Sequence, residues 1–198
     1  MSTGSIIALT LTLAAGQTVA DVRQLYDAGR YQEVVRATDQ AAAEADKRLQ
    51  FLAAQSLTKL KDDDGARRAY LRLAESGEED PWGAVGKSAV QVLDKQLEEA
   101  LASADQAVRL GDSLPESHYQ RGVVLMTRRD YGEAAGAFTK ATQLDPTFAA
   151  AYYYAGLANS RVKRIDLMAN NFEMFIKLAP DAPERPEVES ILRTIRGR

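Results

Sequence analysis

Slid along itself by 34 residues, the chain falls into register, and this repeat limits its possible folds more than any other feature. Ala100, Ala134 and Met168 align, as do Ala104, Phe138 and Phe172. Ala107, Ala141 and Phe175 form a third column, Leu110, Leu144 and Leu178 a fourth, and Pro146 and Pro180 a fifth. One period earlier, Ala66, Tyr70 and Leu73 hold the slots of Ala100, Ala104 and Ala107; Val34, Thr38 and Ala41 stand 32 residues before those. A unit of this length cannot bury its apolar surface alone, so neighbouring units stack into a solenoid.

Inside a unit the apolar period is helical. Gly122, Leu125, Ala134, Phe138 and Ala141 recur at spacings of three, four and seven within two segments. Polar residues Thr127 to Glu133 separate the segments, and Pro146 ends the unit, because proline suits a first helical turn and disrupts a helix interior. Each unit therefore reads as two antiparallel helices, A and B. Gly122, Gly156 and Ala134 let the two backbones approach closely, leaving space that Phe138 or Phe172 fills. The units run over 16–46, 47–80, 81–114, 115–148 and 149–182. Residues 183–198 open with a proline-rich joint and continue as an amphipathic capping helix with Val188, Ile191, Leu192 and Ile195 on one face, ending in a basic tail.

These residues resemble the tetratricopeptide repeat (TPR) family, whose pattern joins W-x2-L-G-x2-Y to A-x3-F, Ala and Pro. His118 to Pro146 supplies Gly122, Ala134, Phe138, Ala141 and Pro146 at the family spacing, and Tyr152 to Pro180 supplies Tyr152, Gly156, Phe172 and Pro180. His118 stands for the family's Trp, Arg121 for its Leu, and Met168 and Phe175 for its two Ala; Trp82 comes two places early. The resemblance covers the five units and implies an all-α, right-handed superhelix of stacked helix pairs, as in small bacterial proteins built only of such repeats.

In that family the A helices line a concave groove, generally through positions 2, 5, 9, 12 and 13. Counted along this chain, the implied partner-binding residues are Arg23 and Tyr26, then Phe51, Gln55 and Lys59, then Trp82, Val85, Ala89 and Val92. Tyr119, Val123 and Met126 follow, then Tyr153, Leu157 and Arg161. Tyr, Trp and Met bury large area at low entropic cost, so a peptide or amphipathic partner helix suits such a groove. Relatives that clamp a C-terminal carboxylate use Lys at position 5 and Asn at position 9. Tyr119 with Val123 and Tyr153 with Leu157 occupy those places here, so carboxylate capture is not expected.

Composition argues against catalysis. The chain has no cysteine and one histidine, His118, which excludes disulfides, thiolate chemistry and Cys-ligated metals and leaves no triad. Lys and Arg total 25 against 28 Asp and Glu, a net charge of −3, and give no basic surplus for nucleic acid. Asp62-Asp63-Asp64 reads as a solvated turn, since no further oxygen ligands follow at calcium-loop spacing. Glu33, Glu98, Glu99 and Glu133 suit the opening turns of B helices, and the turn and tail arginines read as solvated charge. No metal and no cofactor are expected.

The N-terminus stands apart. Ile6 to Ala15 is an uncharged apolar run, too short to span a bilayer, which needs about 20 such residues. With Thr18 and Ala20 before a possible cut at Asp21, residues 1–20 read as a secretory signal, although Met1 to Ser5 carries no positive charge; the alternative is an apolar packing helix. The expectation is a non-enzymatic, monomeric module that binds a protein or peptide in the bacterial envelope, with no stable membrane insertion of the mature chain. A self-assembling scaffold, cytoplasmic if the leader is retained, is the alternative.

Overall fold

A computed structural model describes residues 18–40 and 46–197. Eleven helices and no strand are found among them: α1 (Val19–Asp27), α2 (Tyr31–Gln40), α3 (Lys47–Lys59), α4 (Asp63–Ala74), α5 (Pro81–Leu93), α6 (Leu97–Leu110), α7 (Pro115–Arg128), α8 (Tyr131–Leu144), α9 (Ala149–Arg161), α10 (Ile165–Leu178) and α11 (Arg185–Arg196). Each helix packs chiefly on the one before and the one after it, as expected of an α-solenoid. The expected secretory leader falls almost wholly outside the described residues. The structure does show Thr18 capping α1, with the Thr18 hydroxyl and the Asp21 carboxylate bonded to each other's backbone N–H groups. A cut after Ala20 would remove that cap along with the first two residues of α1, at a cost of about 1 kcal/mol for the cap alone.

Local chemistry explains the boundaries. Asp46, Asp62 and Asp80 cap α3, α4 and α5, each accepting a hydrogen bond from an N–H of the first turn, and Pro81 and Pro115 open α5 and α7. The aspartate run at 62–64 is thus a helix start: one cap and two first-turn carboxylates, all exposed. Every A helix ends the same way. Gly29, Lys61, Lys95, Arg129 and Lys163 have positive φ, and the next residue's N–H returns to a carbonyl five places back at 2.8–3.0 Å. These are Schellman turns, and in four of them a cation sits at the negative end of the A helix.

Side-chain interlock then fixes each pair. A Cβ added to Gly122 would stand 2.6 Å from the Phe138 ring, and one on Gly156 would stand 2.5 Å from the Phe172 ring. Both phenylalanines are fully buried. Met168 and Phe175, which replace alanines, are buried with Phe172 against Val188 and Leu192 of α11. The last unit fills its outer side with larger side chains, and α11 closes that end.

Candidate functional site

The A helices carry the inward-facing side chains, and the array curls tightly enough for its first pair to meet its fourth and fifth units. Arg23 of α1 hydrogen-bonds Asp145, lies 3.6 Å from Glu116 of α7 and sits over the Phe148 ring at 5.1 Å. Ala150 of α9 packs on the Val22–Tyr26–Leu49–Leu52 cluster. Farther along, Lys59 of α3 donates to Glu184 at 2.8 Å and lies 6.0 and 5.8 Å from the Tyr153 and Tyr154 ring centres.

Aromatic side chains fill the interior that this curl encloses. Tyr119 is 2% exposed and touches Phe51, Phe138, Phe148 and Tyr154, with centroid separations of 4.9–6.2 Å. Phe51 also meets Trp82 edge-on at 5.9 Å. Beside Lys59, Tyr26, Tyr31 and Tyr153 a gap of about 20 Å³ remains, room for a single water.

The sequence count pictured an open groove, and the structure revises that picture residue by residue. Tyr26, Phe51, Gln55, Val85, Ala89 and Tyr119 are buried, because opposing A helices press their bulky side chains together. Arg23, Lys59, Trp82, Val123, Met126, Tyr153 and Leu157 are half-buried at the edges of that interior, and Val92 is half-buried against Ala100, Ala104 and Val124. Arg161 is exposed and lies over the Tyr131 ring at 5.9 Å. The count also passed over residues that join the units: Arg48, Glu116 and Ala150 all hold position 2, the place from which Trp82 was chosen. Asp145 and Phe148, just before α9, left no periodic signal.

Electrostatics concentrate where α1 meets the fourth unit. Burial pushes the Glu116 carboxyl up, against the pull of Arg48 and Arg23. Its Oε1 faces both guanidinium groups, at 3.3 Å from Arg48 and 3.6 Å from Arg23, while its buried Oε2 has no hydrogen-bond partner. Asp145 is partly buried, yet hydrogen bonds from Thr147 and Arg23 hold it below the usual carboxylate range. Asp27, on α1, is pushed up to about 7 by burial, with Arg23 opposing and Asp145 reinforcing the shift.

A raised carboxyl favours the folded chain only while protonated, so this stabilisation is present below pH ~4 and is lost as pH climbs toward 7. Asp27→Asn removes the titration. The variant should melt several degrees above the parent at pH 8 and level with it near pH 4. An equal offset at both values would show that Asp27 does not titrate in this range.

His118 is buried, with Nε2 at 2.9 Å from the Asp112 carbonyl oxygen and 3.5 Å from the Asp112 carboxylate. Among the described residues no group of three or more His, Asp or Glu could hold a metal, and no helix is long and apolar enough to cross a membrane.

No curated protein sequence matches the chain significantly. A family model described as a tetratricopeptide repeat matches residues 115–148. Among solved structures, a thermophilic TPR protein of Thermus thermophilus is 18% identical, with a TM-score of 0.63 over 89% of this chain and 95% of its own. YrrB, a TPR protein with an unusual peptide-binding site, is 19% identical, with a TM-score of 0.54 over 87% and 90%. The first TPR of Spaghetti (RPAP3), bound to the HSP90 peptide SRMEEVD, is 16% identical, with a TM-score of 0.55 over 61% of this chain and 94% of its own. Residues 115–148 are thus a tetratricopeptide repeat, and the described chain folds as a TPR α-solenoid.

Proposed function

We propose that this chain is a non-enzymatic protein-binding module that holds a peptide or partner helix against the inner side of its A helices, in the envelope of a bacterium. The observation behind this reading is a set of half-buried apolar side chains on successive A helices: Trp82, Val123 and Met126 beside one buried cluster, and Tyr153 and Leu157 beside the next. Peptide binding by two proteins of the same fold supports the reading, as does the signal-like stretch at 1–20. A partner would be retained by burial of apolar area, without any carboxylate clamp.

Site-specific photo-cross-linking in host cells tests the inner face. A cross-linker at Val123 or Leu157 should trap one discrete partner, and the same group at the exposed Leu71 of α4 should not. Equal trapping from Leu71 would overturn the inner-face reading. Intact mass from fractionated cells tests the location: loss of residues 1–20 in an envelope fraction supports export, and full-length protein in the cytosol removes it. A second reading, self-association, draws on Ile165 and Leu167, which α10 leaves 44% and 48% exposed. A constant monomeric mass at high concentration would end it.

A further inference from the structure

We propose that α1 is a resident occupant, held in cis, of a helix-binding seat, and that a partner's cationic amphipathic helix takes the same seat in trans. The inference rests on the reading that this chain binds a protein partner and names the chemistry of that partner. The seat is lined by Glu116, Asp145, Phe148 and Ala150. Into it α1 places an apolar pair at i and i+4, Val22 and Tyr26, with Arg23 between them.

Three observations mark α1 as a replaceable occupant. First, the acidic seat is incompletely satisfied: Glu116 is 1% exposed, its Oε2 is unpartnered, and both arginines face Oε1 beyond ordinary hydrogen-bond length. A helix whose guanidinium engages both oxygens would bind better than α1 does. Second, α1 carries Asp27, whose carboxyl burial pushes up, so its charged form is an unfavourable group to hold in the seat. A partner helix neutral at that position avoids that cost. Third, α1 has nine residues, fewer than the roughly 12–15 an isolated helix needs, and Thr38 stands where Phe138 and Phe172 interlock their pairs. The fitting partner therefore presents apolar residues four apart, Arg between them, and no carboxylate one place beyond.

The cysteine-free sequence permits a direct test. A Cβ on Gly29 would lie 3.8 Å from the Pro183 Cβ, the separation a disulfide spans, so the Gly29→Cys, Pro183→Cys double variant can lock the first helix pair to the segment before α11. Gly29 has φ +74°, and the strain of a side chain there is common to both redox forms. The probe is a fluorescent synthetic peptide of residues 18–31 carrying Asp27→Asn. The reduced full-length variant should bind it and the oxidised variant should not. Adding Arg23→Glu to the reduced chain should tighten binding about tenfold, by weakening the resident helix. The same substitution in the peptide should abolish binding. Equal binding by oxidised and reduced chains would overturn the proposal, as would no binding to the Arg23→Glu chain when circular dichroism shows it folded. Either failure leaves cross-linking from Val123 and Leu157 intact, so it is separable from failure of the partner-binding reading.

Discussion

Tyr119→Glu should destabilise the array by about 4 kcal/mol or more, a large part of the roughly 5–15 kcal/mol that holds a domain together. The side chain is 2% exposed and surrounded by the Phe51, Phe138, Phe148 and Tyr154 rings. A carboxylate there loses those contacts and gains no cation, and burial would oppose its ionisation. Position 5 of an A helix is a groove position by family resemblance, which would have made this substitution harmless to folding. The closed interior reverses that expectation. Urea unfolding followed by circular dichroism measures the effect, with Tyr153→Glu as the comparison: Tyr153 is half-buried, and its substitution should cost less than half as much. Equal, small losses for both would mean that the interior is open in solution.

Gly122→Leu should be the next most damaging. Even a methyl group at that position would stand 2.6–2.8 Å from three atoms of the Phe138 ring. Phe138 has 0% exposure and cannot swing aside without opening a gap between α7 and α8. Overpacking of this kind typically costs 1–3 kcal/mol, and a branched side chain against a fixed ring belongs at or above the upper end. Gly136 supplies the control: it lies in the same unit, on the exposed side of α8, and an added Cβ meets nothing within 4 Å. Gly136→Ala should stabilise the chain by about 0.5–1 kcal/mol, because alanine is the better helix former. If both substitutions destabilise alike, the loss does not come from contact with the Phe138 ring, and the interlock carries no special weight.

The sequence was most informative where the controlling interactions are local. Schellman turns 34 residues apart need only a polar break and a residue tolerating positive φ, and caps need an aspartate or threonine beside a helical run. Gly122 with Phe138 and Gly156 with Phe172 were legible because both members of each contact lie within one repeat. Met168 and Phe175, read as departures from the family pattern, became intelligible once α11 was seen to lie over them.

The 34-residue register, the paired helices, the close glycine–phenylalanine contacts and the capping helix are all readable from residue order, since each depends on neighbours within about one repeat. How tightly the units curl is not readable there and emerges from the folded array. That angle sums small rotations at every interface, each set by packing of side chains from different units, and no single position records it. The sum brings Arg23 to Asp145 and Glu116 across more than ninety residues, turns Phe51 and Tyr119 from an expected groove lining into a buried core, and leaves Glu116 with an unpartnered oxygen beneath α1.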